Sequence, residues 1–198
     1  MEIRDVLAEL EAEAVRDRVP ILREAERAAL LEACASARPR RILEIGTAIG
    51  YSALLMAERC PDAVVETIEL DPVRHARAVR AVREAGCAER VLCHPGDAAE
   101  VIGRLAGPFD FLYLDGPKGQ YLRHLQLAEP LLSLRAVIAA DNVLFRGLVA
   151  SADPVPHRYR TLVLRLRDYL AYVNERYDTR VAAEGDGLAV SRRKKDTQ

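Results

Sequence analysis

Tryptophan is absent from this chain of 198 residues, and only 5% of it is aromatic. A core with so few large rings must be filled by aliphatic side chains, which the 50% hydrophobic share supplies. An excess of one charge is also missing: 29 basic against 30 acidic residues leave a formal net charge of -1, so no overall field draws the chain to nucleic acid or to a membrane. No apolar run approaches the length of a membrane span, and Arg4, Asp5 and Glu9 interrupt any signal-like stretch at the N-terminus. The four cysteines, Cys34, Cys60, Cys87 and Cys93, form no Cys-x-x-Cys pair and adjoin no histidine motif. They read as free thiols in a reducing, cytoplasmic compartment, so any bound metal must rest on oxygen ligands. No repeat or low-complexity block is visible. The length suits one compact domain over 1–198, expected to comprise an N-terminal helical lid over 1–38 and a core over 39–198.

What the chain does have is concentrated in Arg41-Ile-Leu-Glu-Ile-Gly-Thr-Ala-Ile-Gly-Tyr-Ser52. Ile42, Leu43 and Ile45 form a short apolar run that breaks at Gly46, and after Gly50 the residues Leu54, Leu55 and Met56 continue at helical spacing. This predicts strand, tight turn and helix, with backbone N–H groups facing any ligand bound there. Glu44-x-Gly46-x-x-x-Gly50 is not the Gly-x-Gly-x-x-Gly of dinucleotide folds, which argues against a pyrophosphate. It resembles the first motif of class I S-adenosylmethionine-dependent methyltransferases, in which the glycines let the backbone approach the amino-acid end of the cofactor. A glycine turn between strand and helix is also ordinary architecture.

Upstream, Ile3, Val6, Leu7, Leu10 and Val15 are spaced as one face of a helix that ends before Pro20; left exposed, that face would favour a homodimer. A second helix is predicted over 24–36. Arg18-Val-Pro-Ile21 between them is either a packed loop or a lid over cofactor or substrate. Downstream, a buried strand over 64–70 carries Glu69 about 20 residues beyond the glycine turn, where a doubly wound sheet delivers a carboxylate to ribose hydroxyls. Asp71 before Pro72 reads as the cap of a helix over 72–85. Arg74, Arg77, Arg80 and Arg83 on that helix read as a solvated face. Gly86 ends it. A strand over 91–94 leads to Gly96-Asp97-Ala98, with Asp97 capping a helix through Val101 and Leu105.

The apolar segment from Phe109 delivers Asp115, and a helix over 121–132 leads to a strand over 136–140 that ends in Asp141-Asn142. Ligands in open α/β sheets sit beyond the carboxyl ends of the strands, so these residues are expected on the same edge as Gly46 and Glu69. Two carboxylates and an amide oxygen suit a hard cation such as Mg²⁺; the alternative is that they are polar loop residues capping helices. A helix over 162–173, a strand over 179–183, a turn at Asp186-Gly187 and a strand over 188–191 complete the pattern.

Asp115-x-x-Lys118 with Asp141-Asn142, behind the glycine turn and Glu69, resembles the cation-dependent O-methyltransferases of the catechol and caffeoyl-coenzyme A type. Lys118-Gly-Gln-Tyr121 and Asp141-Asn-Val-Leu-Phe-Arg-Gly147 are most similar to the bacterial tRNA 5-hydroxyuridine methyltransferases within that group. The resemblance implies an α/β, Rossmann-like doubly wound fold: a mostly parallel seven-stranded sheet with a C-terminal antiparallel hairpin, preceded by N-terminal helices. It implies S-adenosyl-L-methionine surrounded by Val19, Glu44, Gly46, Ala48, Ser52, Glu69, Asp97, Ala98 and Asp115. Asp115, Asp141 and Asn142 would hold Mg²⁺, and Lys118 would be the general base, with Asp115 the other catalytic residue. Gly116-Pro117 departs from relatives that often have alanine or acidic residues there; proline fixes φ and removes a donor. The acceptor implied is the wobble 5-hydroxyuridine of tRNA, or alternatively a small catechol-like phenol; a non-catalytic cofactor binder is the third class. A tRNA enzyme with this net charge needs local phosphate contacts, for which Arg18, Arg146 and Arg158 are the candidates, with Arg160 and the tail 192–195.

Overall fold

Seven strands and seven α-helices occupy residues 2–182 and 185–194, the part of the chain that the computed structural model describes. The strands are β1 Arg41–Ile45, β2 Val64–Glu69, β3 Val91–Pro95, β4 Phe109–Leu114, β5 Leu132–Ala140, β6 Tyr177–Ala182 and β7 Leu188–Arg193. They form one sheet in the order β3-β2-β1-β4-β5-β7-β6; the first five are parallel, and β7 runs antiparallel to both β5 and β6. The central strands β1 and β4 are covered on both faces, which is why Phe109-Asp-Phe-Leu-Tyr-Leu reads as an almost unbroken apolar run and not as an alternating one. The chain moves outward from β1 through β2 to β3, then returns to the other side of β1 for β4 and β5. That reversal opens a crevice between the loops after β1 and β4.

The helices are α1 Ile3–Asp17, α2 Glu24–Ala37, α3 Tyr51–Arg59, α4 Pro72–Glu84, α5 Ala98–Ile102, α6 Tyr121–Ala128 and α7 Arg160–Arg176. One buried cluster joins α1, α2, α3 and α4 to one face of the sheet, and a second joins α5, α6 and α7 to the other. No helix among the described residues is long and apolar enough to cross a membrane.

Several expectations change. The buried stripe of α1 runs through Val6, Leu7, Leu10 and Ala14, whereas Val15 is 83% exposed. That stripe packs on α3 and α4 within the chain, so the apolar face that favoured a homodimer is already covered. Arg77 is not solvated: its side chain is 13% exposed and pairs with Glu13 at 2.6 Å, joining α4 to α1. The helix expected over 121–132 stops at Ala128, because Pro130 cannot donate to a continuing ladder; a 3₁₀ turn, Glu129–Leu131, follows, and β5 starts four residues before the expected 136. α5 likewise ends at Ile102 and not at Leu105. Ala183, the expected end of the sixth strand, and Lys195 of the basic tail lie outside the described residues.

The turn between β6 and β7 reaches back to the functional edge. Val143 N–H donates to Gly187 O (3.0 Å) and Leu144 N–H to Asp186 O (2.9 Å), so the hairpin supports the loop that leaves β5. Gly187 has φ 84°, and a Cβ there would lie 2.5 Å from Leu144 Cγ. Gly187→Ala should therefore cost about 1–3 kcal/mol, read as a lowered thermal midpoint against wild type.

Candidate active site

The sheet ladder continues past the strands at their carboxyl ends. Gly96 N–H donates to Glu69 O (2.9 Å), Gly46 N–H to Ile68 O (3.0 Å), Asp115 N–H to Ile45 O (2.9 Å) and Asp141 N–H to Leu114 O (3.0 Å). These bonds align four loops along one edge, above which lies a cleft of about 970 Å³. Gly46 is required by its surroundings: φ is 104°, and a Cβ would sit 2.5 Å from the carbonyl oxygen of Asp115.

At one end of the cleft, the Glu69 carboxylate is held by two backbone donors, Ala48 N–H on Oε2 and Asp71 N–H on Oε1, each at 2.8 Å. The fixed carboxylate keeps lone pairs free for hydroxyl groups of a ligand. Asp71 caps α4, accepting from Val73 and Arg74 N–H, and Asp97 caps α5, accepting from Ala99 N–H. At the other end, Asp115, Lys118, Asp141 and Asn142 all line the same cleft, as do Gly46, Ala48, Asp97 and Ala98. Burial and the charge of Asp141 raise the Asp115 carboxyl to about 8, with Lys118 opposing. Burial raises Asp141 to about 6 although Asn142 N–H donates to its Oδ1 at 2.8 Å. Asn142 adopts φ 52°, which turns the chain sharply beside Asp141. Two neighbouring carboxylates that resist ionisation, with an adjacent amide, are donors that a divalent cation would neutralise, although no group of three or more His, Cys, Asp or Glu placed to hold a metal occurs among the described residues. Pro117, φ -62°, opens the 3₁₀ turn Lys118–Gln120, where its missing N–H is not needed, and Lys118 remains in the cleft.

Other expected residues lie elsewhere. Glu44 is fully buried below the floor, accepting from Ser52 Oγ and Thr67 Oγ1 at 2.5 Å each; neither Glu44 nor Ser52 lines the cleft. Val19 also stays outside it, while Pro20, Ile21 and Leu22 form part of its wall. Arg18, Arg146 and Arg158 are exposed and do not line it. Arg146 is nonetheless connected to it, since its backbone N–H donates to Asp186, a lining residue. The guanidinium groups of Arg146 and Arg158 lie 5.8 and 4.6 Å from the same Tyr159 ring.

Several lining residues were not assigned to the site in the sequence. Glu26 is 4% exposed, accepts from Arg23 and from Asp186 N–H, and is held below the usual carboxylate range by those donors in spite of its burial. Its sequence signal was only the capping-box position three residues beyond Arg23. Asp186, Gln120 and His124 complete the set.

The strand order, the glycine turn after β1, the carboxylate ending β2 and the acidic residues after β4 and β5 define a Rossmann-like methyltransferase fold. The SAH-bound methyltransferase PaMTH1 of Podospora anserina superposes with a TM-score of 0.83 at 29% identity, over 96% of this chain and 88% of that one. A family model described as O-methyltransferase matches residues 2–194, and the chain belongs to that family. The caffeoyl-CoA O-methyltransferase 1 of Zea mays is 30% identical over 168 residues, 79% of this chain and 65% of the relative. The catechol O-methyltransferase of Niastella koreensis is 36% identical over 115 residues, 56% of this chain and 52% of the relative. The matches thus span about half to two thirds of these curated relatives.

Glu44 offers a test of the buried floor. Burial raises its carboxyl from 4.5 to about 7, so the folded state binds a proton that the unfolded chain releases. Stability from this group is present below pH 4.5 and is lost as pH rises to 7, a cost of roughly 3 kcal/mol. Glu44→Gln, which retains partners for both hydroxyls, should flatten that decline in ligand-free protein, measured as thermal midpoint against pH.

Proposed function

We propose that this chain is an S-adenosylmethionine-dependent, Mg²⁺-assisted O-methyltransferase acting on an acceptor with two adjacent oxygens. The observation that carries the reading is that Asp115, Asp141, Asn142 and Lys118 share one cleft with Gly46 and Glu69. The glycine turn would hold the amino-acid end of the cofactor and Glu69 its ribose hydroxyls. Asp115, Asp141 and Asn142 would hold the cation, which when bound favours ionisation of a hydroxyl that it contacts. Lys118 takes the hydroxyl proton on Nζ. The aligned loops then fix the acceptor oxygen relative to the methyl group, and because the sulfonium already activates that methyl, alignment is the main task left to the protein. Pro20, Ile21 and Leu22 form part of the wall of this cleft.

The catechol and caffeoyl-CoA relatives support a small phenolic acceptor. A second reading, the 5-hydroxyuridine of tRNA, has the same vicinal oxygens, a hydroxyl beside the C4 carbonyl. It is favoured by Arg146 and Arg158 on Tyr159, a ring and two cations suited to a base and its phosphates, on the loop beyond Asn142.

Methyl transfer from labelled cofactor to catechol and to hydroxyuridine-containing tRNA tests both. Asp141→Ala should lower transfer by roughly 100-fold or more, and a chelator should do the same to wild type. Full, chelator-insensitive activity in that variant would remove the cation from the mechanism. For a tRNA enzyme, Arg146→Ala and Arg158→Ala weaken tRNA methylation at low salt, with a loss that shrinks at high salt, and leave catechol transfer nearly unchanged. Turnover of catechols with none on tRNA assigns the small-phenol class.

A further inference from the structure

The four thiols of the chain stand in different surroundings. Cys34 on α2 is fully buried, and its Sγ lies 3.5 Å from the Sγ of Cys60, which caps α3 at its C-terminus and is 9% exposed. Cys87 instead donates to the carbonyl of Ala85 at 3.3 Å, and Cys93 on β3 is pushed up to about 11 by burial. The hydrogen bond from Cys34 and the charge of Arg59 hold the Cys60 thiol below its usual range, while the same bond and burial raise Cys34. The pair is thereby asymmetric: the outer sulfur carries more thiolate at neutral pH, and the inner one keeps its proton and donates it.

An open groove of about 640 Å³ lies beside the pair. Its lining includes Leu31 and Ala35, on either side of Cys34 in α2, and Arg59, the residue before Cys60. Arg38 and Arg59, both exposed, line it together with one carboxylate, Glu32, and Arg192 reaches its rim by donating to Ser36 Oγ at 2.7 Å. An excess of positive charge there suits an anionic ligand. Cysteines buried singly in a core are inert, whereas a thiol in an electropositive place at the surface, with a second sulfur behind it, can react and be resolved.

We infer that Cys34 and Cys60 form a redox-active dithiol, which an anionic small-molecule disulfide oxidises through the arginine-lined groove to an intramolecular disulfide joining α2 to α3. The Cys60 thiolate attacks one sulfur of the small molecule, forming a mixed disulfide and releasing one thiolate. The Cys34 sulfur then attacks the Cys60 sulfur, forming the Cys34–Cys60 bond and expelling the second thiolate. Both protons lost by the cysteines end on the released thiols, so the protein gives up two electrons and the small-molecule disulfide gains them. Because α2 carries Glu26 into the cleft and α3 begins at the glycine turn, the bond fastens together two helices that lead to the functional edge.

Peptide mass spectrometry after thiol blocking tests this on the reduced full chain treated with glutathione disulfide. A Cys34–Cys60 cross-link should form, with Cys87 and Cys93 recovered as free thiols, and a reductant should reverse it. Cys34→Ser should stop at one glutathione on Cys60, and Cys60→Ser should carry none; circular dichroism checks both folds, and the wild-type cross-link decides if either variant fails to fold. Arg38→Ala with Arg59→Ala should lower the rate with glutathione disulfide, relative to the cationic disulfide cystamine, by about threefold or more at low salt. Oxidised wild type should melt about 5 °C or more above the reduced chain, because the cross-link constrains the unfolded state. Modification of Cys87 or Cys93 alone, or a Cys34–Cys60 link that appears only in denaturant, overturns the dithiol. An unchanged rate ratio in the arginine variant overturns the groove as the route, and an unchanged midpoint overturns the fastening of α2 to α3.

Discussion

The site depends on a short extension of the sheet ladder beyond its last regular residues. Gly46, Gly96, Asp115 and Asp141 each donate a backbone N–H to the neighbouring strand, which sets the loops in register before any side chain contributes. The closest approach is at Gly46, where the absence of a Cβ lets the β1 turn lie against the Asp115 carbonyl. A larger residue there would push apart the turn after β1 and the first of the paired aspartates. Register imposed by backbone hydrogen bonds is rigid because slipping it would leave buried N–H groups unpaired.

The carboxylates of this region show that burial alone does not set their behaviour. Glu44, Asp115 and Asp141 are all raised, to about 7, 8 and 6, because few donors compensate the lost water. Glu26, also little exposed, is lowered, because Arg23 and two backbone N–H groups together outweigh its desolvation. The cleft therefore joins a lowered carboxylate, Glu26, to a raised pair that Lys118 offsets only in part. A cationic ligand would relieve that imbalance.

Helix α2 and the turn before β7 meet at this edge. Glu26 in α2 accepts from Asp186 in the turn between β6 and β7, and the same turn supports Val143 and Leu144 after β5. A Cβ at Gly185 would overlap the Glu26 carboxylate and one at Gly187 would overlap Leu144, so both glycines are fixed by packing as well as by positive φ. The N-terminal helices, expected as a lid, contribute a wall through Pro20 to Leu22 and a covered stripe on α1.

Much of the fold was legible in local pattern. The glycine turn, the caps at Asp71 and Asp97, and the carboxylates ending successive strands follow from backbone chemistry within a few residues, which sequence records directly. Asp115, Lys118, Asp141, Asn142, Gly46 and Glu69 could be placed on one edge because parallel strands put all their carboxyl ends together. Arg77, Val15, Glu26, Gln120 and His124 could not be read in this way. Whether an arginine on a helix meets water or Glu13, or a histidine points into a cleft or a core, depends on residues tens of positions away. Residues 26 and 186 illustrate the limit: 160 positions separate them, and only tertiary packing brings the Asp186 N–H to the Glu26 carboxylate. Sequence by itself thus determined the order of elements and the chemistry along their ends, since both arise from short-range hydrogen bonding and periodicity. Tertiary structure alone decided which polar groups are paired, which are buried without a partner and which line the cleft, because desolvation and charge pairing are set by neighbours in space.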